Sequence, residues 1–348
     1  MLPLSTPALI VDLDVFEENI AAMNAMLRGT GKTVRPHVKT HRTPELARRQ
    51  LGVSARGVTC ATVGEAEAMV AAGIDDVFIA NEVVDPAKLG RVAELAHHAT
   101  VALAADDPAP VEALSREAAR RGVIIGVLID VDTFLHRCGV TSIAEAVALA
   151  QAVERSPGLV LRGVMGYEGR IRLGVEDRDG KISGAYTTLR ETRDALVDAG
   201  HPIGVVSAAG TSTLREAIAD PAITEIQAGV YCLMEPELLV MDLPFRSAAA
   251  IRGTVISRHA DHMVTDVGRR SVGVDYGPPT PIGFAAERIA VSDEHTTVFM
   301  SDPPPLGSQV DFIPGQIRTT FNLHDRVWVT RDGRIVDCWA VAARGSSQ

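Results

Sequence analysis

Lys39 is the residue whose position most clearly calls for chemistry, because it lies in the segment Arg35–His41, which reads RPHVKTH. Residues two apart on a strand share a face, so this alternation predicts that His37 and His41 lie beside Lys39. A lysine removed from water has a lowered pKa and can form a Schiff base with an aldehyde. An exposed lysine at a strand end is the competing interpretation, and position alone does not decide between the two.

Small and hydroxylated residues form a second candidate feature. The segment Ser207–Thr213 reads SAAGTST, and another glycine, Gly229, lies close to Tyr231. Small residues let the backbone approach a phosphate, hydroxyls donate hydrogen bonds to it, and a following helix favours an anion. A simple helix N-cap is the stronger interpretation when the segment is taken alone. Together with the lysine, the segment favours a phosphorylated aldehyde as cofactor.

The elements that would position these residues alternate between short β-branched runs and helical stretches. Eight strands with helices in most of the gaps predict an α/β fold, a closed (β/α)8 TIM-type barrel with its active site at the carboxyl ends of the strands. An open doubly wound sheet would need a glycine-rich loop after its first strand, which is absent from the sequence. The predicted strands are Thr33–Val38, Gly57–Thr62, Asp76–Ala80, Val101–Asp106, Val123–Asp130, Leu159–Glu168, Ile203–Gly210 and Glu225–Gly229.

The alternation of strand and helix patterns ends at about residue 240. Short strands between turn signals such as Tyr276–Pro279 and Arg331–Gly333 replace the helical periodicity. The pattern predicts a cofactor-binding barrel over residues 13–240 and a C-terminal β domain over residues 241–348. The strand at residues 6–12 is expected to join the β domain.

Composition limits the partners of the chain. A net charge of −10 and an isoelectric point near 5.5 favour neither nucleic acid nor an anionic membrane. The sequence has no basic, apolar secretory signal and no run of about 20 apolar residues without charges. Its four cysteines lie far apart and are expected to be free thiols. We therefore expect a cytoplasmic protein that acts on a small molecule.

The chain resembles the D-threonine aldolase and D-serine dehydratase family, which are pyridoxal 5'-phosphate (PLP) enzymes of fold type III with an alanine racemase-like barrel. The most specific signal is Arg35–His41, which is similar to the family's cofactor-lysine segment. Further similar segments extend over nearly the whole chain: Thr6–Asp12, Asn81–Val84, Arg137–Val140, Asp293–His295, Phe321–Asp325 and Ala342–Gly345.

The resemblance implies a set of cofactor-binding residues. Lys39 would carry PLP as a Schiff base, Arg137 would lie near the phenolic oxygen or the substrate carboxylate, and Tyr167 would contact the pyridine ring. His37 would also contact the cofactor. The residues that would bind the phosphate are Gly210, Thr211, Gly229 and Tyr231. The family is usually dimeric, so a homodimer is expected.

One departure from the family concerns its divalent metal. The relatives carry a Pro-x-His-x-Asp or Pro-x-His-x-Cys motif, whereas this chain has Gln316 and Arg318 at the ligand positions. A guanidinium is always charged and has no lone pair to offer a metal. We therefore expect no metal at these positions. Either Arg318 supplies the positive charge, or the reaction does not involve a β-hydroxyl group.

The expected activity is that of a D-threonine-aldolase-like lyase, which splits small β-hydroxy-D-amino acids into glycine and an aldehyde. The candidate catalytic residues are Lys39, Arg137 and Arg318, with His41, Glu168 or His295 as the base. Three alternatives stay open: an amino-acid racemase or epimerase, a D-serine-dehydratase-like ammonia-lyase, and a non-catalytic PLP carrier.

Overall fold

The structure is a computed structural model that describes residues 4–169, 171 and 174–348. Its contacts divide the chain into two compact units. The barrel unit comprises residues 26–39, 47–229 and 346–348. The β-rich unit comprises the residues up to 25 together with 40–46 and 230–345. The predicted domain bounds, 13–240 and 241–348, stay a prediction.

Numbered along the chain, the strands in the described ranges are β1 (Ala8–Asp12), β2 (Thr33–Val34), β3 (Val58–Cys60), β4 (Asp76–Glu82), β5 (Thr100–Ala105), β6 (Ile125–Asp130), β7 (Leu159–Met165), β8 (Val205–Ala208), β9 (Glu225–Ile226), β10 (Ala249–Arg258), β11 (His262–Thr265), β12 (Thr280–Pro281), β13 (Arg288–Val291), β14 (Thr296–Phe299), β15 (Gln309–Ile313), β16 (Arg326–Arg331) and β17 (Arg334–Ala340).

The helices in the same ranges are α1 (Leu13–Leu27), α2 (Pro44–Gln50), α3 (Val63–Ala71), α4 (Pro86–Leu95), α5 (Pro108–Arg121), α6 (Ile143–Glu154), α7 (Arg178–Asp198), α8 (Leu214–Ala219), α9 (Pro236–Leu239) and α10 (Ile317–Leu323). None of these helices is both long and apolar enough to cross a membrane.

The barrel unit contains the eight parallel strands that the sequence predicts. They are hydrogen-bonded in the order β2-β9-β8-β7-β6-β5-β4-β3. An isolated parallel bridge joins His37, which lies beyond the end of β2, to Thr59 in β3, and this bridge closes the ring. A helix lies between each strand and the next along the chain, from α2 to α8. The (β/α)8 barrel is therefore confirmed, and its strand ends can be compared with the predicted site.

Local signals explain where the barrel helices begin and end. The side chains of Asp85 and Asp107 accept hydrogen bonds from first-turn N–H groups of α4 and α5, and a proline follows each of them. Ser142 and Glu145 form a capping box at the start of α6. Gly122 ends α5 in a left-handed conformation with φ of 68°. These capping residues are visible in the sequence, so the alternation of barrel strands and helices could be predicted from it.

The β-rich unit is built on a sheet that begins with the N-terminal strand. β1 pairs antiparallel with β10 and parallel with β16, and Ile10 lies opposite Ala250 on one side and Trp328 on the other. This pairing confirms that the strand at residues 6–12 joins the C-terminal strands. The core of this unit consists of buried apolar residues that include Ile251, Val255, Met263, Val298 and Phe312.

One expectation for the C-terminal region is wrong, because α10 lies where only strands were predicted. Ile317 and Phe321 lie one turn apart on this helix and are both fully buried. The hydroxyl of Thr320 donates to the carbonyl of Gln316 at 2.6 Å. Two helical turns are too short for a period of 3.6 residues to be recognised in a sequence.

Candidate active site

Lysine is rare in this chain, which has four, and all of them lie in described residues. Lys32 precedes the amino end of β2, and its Nζ atom donates to two backbone carbonyls at 2.5 Å. Lys88 and Lys181 lie in α4 and α7. Lys39 lies in the turn that directly follows β2, on the side of the barrel where such enzymes place their active sites, whereas Lys88 and Lys181 lie in the first turns of the helices.

The turn that carries Lys39 differs from the extended strand that the sequence predicted. β2 ends before Pro36, and Val38–Thr40 form a single 3-10 turn. Backbone hydrogen bonds continue past β2 as far as His37, whose N–H donates to the carbonyl of Ala228, and the chain turns directly after this residue. The alternation that was to place His37, Lys39 and His41 on one face is therefore wrong, although Lys39 keeps its place at the strand end.

The amine of Lys39 lies near the ring of Tyr167, the residue that follows shortly after β7. The distance from Nζ to the ring centroid is 5.6 Å. The tyrosine ring packs against two glycines: a Cβ atom on Gly169 would lie 2.0 Å from the ring, and one on Gly210 would lie 3.4 Å from it. Any larger residue than glycine at position 169 would displace the ring. The ends of β2, β7 and β8 thus meet around this ring.

The loop after β8 has a defined internal geometry. Ala209 has φ of 71°, a region that residues other than glycine seldom adopt. The N–H of Gly210 donates to Thr213 Oγ1 at 3.1 Å, so this amide is used inside the loop. Gly210 therefore contributes space for the Tyr167 ring. The helix predicted after the loop begins as the 3-10 turn Thr211–Thr213 and continues as the six-residue α8.

Glu168 lies inside the barrel unit with 2% exposure. Its Oε1 atom accepts hydrogen bonds from the hydroxyls of Thr213 and Tyr186, the second at 3.2 Å. Burial raises the pKa of the Glu168 carboxyl. Sequence reasoning missed Thr213 and Tyr186 as partners of this glutamate, because a contact between residues so far apart in the chain leaves no local motif.

The other predicted cofactor residues are divided between the two units. In the barrel unit, His37 is 7% exposed and its N–H donates to the carbonyl of Ala228, one residue before Gly229. In the β-rich unit, Tyr231 is fully buried, and its ring centroid lies 5.6 Å from that of Phe245. Their roles in binding a cofactor stay predictions.

Arg137 lies exposed in the loop after β6, where its charge acts on an acidic pair formed by the buried Asp130 and the half-buried Glu82. Asp130 is 5% exposed at the end of β6 and hydrogen-bonds to Glu82 at the end of β4. Burial, followed by this hydrogen bond and the charge of Glu82, raises the pKa of Asp130 to about 9, whereas the charge of Arg137 opposes the shift. The pair therefore holds one proton at neutral pH.

Glu82, Asp106 and Cys138 form a group whose potential metal-ligand atoms all lie within 4.8 Å of one another. Sequence analysis did not connect them, because they follow three different strands. Burial raises the pKa of the Cys138 thiol to about 11, whereas a metal binds the thiolate. The backbone N–H of Gly139 donates to Asp106 at 3.0 Å. The group is a hydrogen-bonded cluster, and we assign no metal to it.

In the β-rich unit, Arg318 pairs with a buried carboxylate. Glu235 is 2% exposed, and its Oε1 atom accepts from Arg318 Nη2 at 3.3 Å. The other oxygen, Oε2, accepts from the N–H of Ile317 at 3.1 Å. The same Nη2 atom donates to the hydroxyl of Tyr276 at 3.1 Å. Two side chains and the first turn of α10 therefore hold this guanidinium in place.

The positions that would bind the family's metal do not fit a cation. The side-chain oxygen of Gln316 accepts a hydrogen bond from the hydroxyl of Thr319. Arg318 brings a fixed positive charge, which would repel a divalent cation placed beside it. The site is built around a guanidinium, and no reaction step is derived through a metal here.

The two histidines proposed as bases differ in their surroundings. His41 is fully buried in the β-rich unit, and its Nδ1 atom accepts from the N–H of Thr43 at 3.1 Å. The neutral ring therefore carries its hydrogen on Nε2, an assignment that follows from this hydrogen bond. Its centroid lies 6.5 Å from that of Phe321, edge to face. His295 is exposed in a turn closed by a hydrogen bond from Ser292.

Comparison with known proteins covers both units. The family model for the alanine racemase N-terminal domain matches residues 11–236, and a serine dehydratase domain model matches residues 248–330. A D-threonine aldolase from Arthrobacter sp is 35% identical, with 99% of this chain and 93% of that protein covered. A 3-hydroxy-D-aspartate aldolase from Paracoccus denitrificans (strain Pd 1222) is 33% identical, with coverage of 98% and 92%.

A solved structure gives the same result for the fold. The crystal structure of D-threonine aldolase from Filomicrobium marinum matches with a TM-score of 0.94 and 33% identity. The match covers 99% of this chain and 97% of that one.

Proposed function

The chain belongs to the alanine racemase N-terminal domain family of PLP-dependent enzymes, and we propose that it is a lyase that splits small β-hydroxy-D-amino acids into glycine and an aldehyde. The observation that carries this proposal is similarity to two aldolases over almost the whole chain. The position of Lys39 at a barrel strand end, beside the Tyr167 ring, supports it.

The residues around Tyr167 fit PLP. Lys39 would hold the cofactor through its amine, and the glycines at positions 169 and 210 make room for the Tyr167 ring, which would contact the ring of the cofactor. The loop that contains Thr211, together with Gly229, would bind the phosphate. When bound, PLP withdraws electron density from the α-carbon of the substrate. The remaining predicted cofactor contacts are those of His37, Arg137 and Tyr231.

Arg318 would bind an oxygen of the substrate, either the β-hydroxyl or a side-chain carboxylate. Its side chain is 28% exposed, whereas that of its partner Glu235 is 2% exposed. The guanidinium is therefore held by a buried carboxylate and still accessible to a substrate. Guanidinium groups bind carboxylates through two parallel hydrogen bonds. The relative named 3-hydroxy-D-aspartate aldolase acts, by its name, on a substrate with a second carboxylate.

Retro-aldol cleavage needs a group that takes the proton of the β-hydroxyl. The tautomer of His41 suits a hydrogen-bond donor, because its Nδ1 atom already accepts from Thr43. Burial favours the protonated form of Glu168. We therefore favour the exposed imidazole of His295 as the base.

A dehydratase is the second candidate, because the serine dehydratase domain model matches residues 248–330. Such an enzyme would release ammonia from a β-hydroxy amino acid. We also propose a homodimer, as the family resemblance implies. A cytoplasmic location is proposed on the free thiols of Cys60, Cys138, Cys232 and Cys338, because a reducing compartment keeps thiols unpaired.

The proposed function is tested by giving the PLP-loaded enzyme D-threonine, β-hydroxy-D-aspartate and D-serine separately. Glycine, aldehyde, ammonia and inverted amino acid are each measured. We expect glycine and aldehyde in equal amounts from at least one of the first two substrates. Ammonia without glycine would identify a dehydratase, inverted amino acid a racemase, and bound PLP without any product a carrier.

A further inference from the structure

Glu168 connects the end of β7 to the loop after β8 through side-chain hydroxyls. Its Oε1 atom accepts from Thr213 Oγ1, and Thr213 Oγ1 in turn accepts from the N–H of Gly210 at 3.1 Å. A hydroxyl has one proton to donate. Because the Thr213 proton points to the carboxyl, the oxygen lone pairs are directed to the Gly210 amide. The glutamate therefore orients the contact that closes the loop.

Tyr186 holds the same carboxyl from the side of helix α7. Its hydroxyl donates to Glu168 Oε1 at 3.2 Å and lies 3.4 Å from the carbonyl oxygen of Thr213. Tyr186 is 2% exposed, and burial raises the pKa of its phenol, so it stays a donor. One carboxyl oxygen is thus fixed by two hydroxyls from two different elements of the barrel.

The loop needs such support because its backbone is strained. Ala209 adopts φ of 71°, which is unfavourable for a residue with a Cβ atom and persists only where the surroundings enforce it. Gly210, the next residue, lies against the ring of Tyr167. A shift of the loop would therefore change both the candidate phosphate contacts and the position of the ring near Lys39.

We propose that Glu168 is a positioning residue that holds the loop 209–213 in the conformation that accepts the PLP phosphate. It acts as a hydrogen-bond acceptor through Thr213 and takes no part in proton transfer with the substrate. This inference rests on the proposed function, since it requires that the barrel binds PLP. It reassigns a residue whose type and position otherwise suggest a catalytic base.

The carboxyl is badly placed for a base. It is 2% exposed, its Oε1 atom already accepts two hydrogen bonds, and burial favours the protonated form, in which Oε2 is the atom left to carry the proton. In the described part of the chain, Oε2 accepts no hydrogen bond. An amide nitrogen can therefore replace Oε2 without loss of an accepted bond, and Glu168→Gln keeps Oε1 as the acceptor for Thr213.

The test is the affinity for PLP, measured by removing the cofactor from the purified enzyme and titrating it back by absorbance. We expect Glu168→Ala and Thr213→Val each to raise the Kd for PLP at least about tenfold. Because both substitutions remove the same contact, the Kd for PLP of the double variant should be no higher than the higher of the two single-variant values. Glu168→Gln should stay within about threefold of the wild type.

The control is Thr192→Val in helix α7. Thr192 is 4% exposed and its hydroxyl donates to the carbonyl of Thr188 at 2.8 Å, within the same helix. This variant also loses a buried hydroxyl, but one whose hydrogen bond stays within α7, and its Kd for PLP should stay within about twofold of the wild type. Thr213→Ser, which keeps the hydroxyl, should restore most of the affinity that Thr213→Val loses.

Two results would overturn the inference. One is unchanged PLP affinity in both Glu168→Ala and Thr213→Val. The other is a Glu168→Gln enzyme that binds PLP normally but loses the acidic limb of its kcat–pH profile, as expected for a removed base. If Glu168→Ala does not fold, Thr213→Val and Glu168→Gln decide alone. Failure of the wild type itself to bind PLP would instead overturn the proposed function.

Discussion

Glu168 in the barrel unit and Glu235 in the β-rich unit are each 2% exposed, yet their carboxyl groups have partners of different charge. Glu168 receives hydrogen bonds from the neutral hydroxyls of Thr213 and Tyr186. Glu235 receives them from the Arg318 guanidinium and a backbone N–H. Neutral donors let a buried carboxyl keep a proton, whereas a guanidinium holds it ionised. One glutamate therefore supports a loop and the other anchors a positive charge.

The largest expected effect is a loss of kcat/KM in a variant of the β-rich unit that leaves the affinity for PLP unchanged. Arg318→Ala should lower kcat/KM about 100-fold, because truncating a buried charged hydrogen-bond partner costs about 2–5 kcal/mol. The Kd for PLP should stay within about twofold of the wild type. Both constants are measured below the melting temperature of the variant, since the unpaired charge of Glu235 also lowers stability.

The matched control for Arg318→Ala is Arg252→Ala in β10. Arg252 binds Asp311 through two hydrogen bonds of 2.7 Å, so it also loses an ion pair in the β-rich unit. Its kcat/KM should change little once the variant is folded. Equal losses in the two variants would remove Arg318 from substrate binding, as would an unchanged kcat/KM in Arg318→Ala.

A smaller effect is expected at the anchor of this guanidinium. Glu235→Gln keeps the shape of the side chain but removes its charge, so Arg318 should be held less firmly. We expect KM for a β-hydroxy-D-amino acid to rise about tenfold and kcat to fall less, with the Kd for PLP unaffected. Steady-state kinetics with the loaded enzyme measures both constants. A fall in kcat at constant KM would contradict the account of Arg318 as a substrate-binding group.

The pH dependence of stability should distinguish Glu168 from an ordinary carboxylate. Its folded-state pKa is raised by burial, so its contribution to stability is complete below the unfolded pKa of about 4.3 and declines as pH rises toward the folded pKa. The free energy of unfolding of Glu168→Gln, relative to the wild type, should therefore rise with pH above about 4.3, by no more than about 1.4 kcal/mol per unit. Denaturant titrations at several pH values measure this difference, and a constant difference would contradict the assignment.

The smallest expected effect is that of a chelator. The family resemblance implies that Arg318 stands at a metal-ligand position, where its positive charge would repel a cation, and the side chain of Gln316 is hydrogen-bonded to Thr319. Dialysis against a chelator should leave kcat/KM within about twofold of its starting value. Loss of activity that manganese or zinc restores would show that a cation takes part elsewhere in the enzyme.

The barrel could be predicted because its signals are local. Each barrel strand is a short apolar run followed by a helix whose cap is visible in the sequence, as at Asp85, Asp107 and Ser142. The sequence also predicts a strand at residues 6–12 that joins the β domain, but it does not give the partners β10 and β16. Lys39 follows a barrel strand, although the residues around it form a 3-10 turn and not the extended strand that the alternation predicts.

The supporting contacts could not be predicted, because they join distant segments. Glu168 and Thr213 are 45 residues apart, and Glu235 and Arg318 are 83 residues apart. The spacing of neither pair corresponds to a sequence motif, so only the folded structure shows which glutamate contacts a hydroxyl and which contacts a guanidinium. Sequence reasoning consequently treated Glu168 as a base, while its surroundings favour a supporting role.

The central claim is tested most directly by mapping where PLP attaches. The protein is incubated with PLP, reduced with borohydride, digested and analysed by mass spectrometry, which resolves each of its four lysines. The account predicts a pyridoxyl adduct on the peptide that contains Lys39 and its loss in Lys39→Ala. An adduct confined to Lys32, Lys88 or Lys181, or no adduct at any lysine, would contradict it.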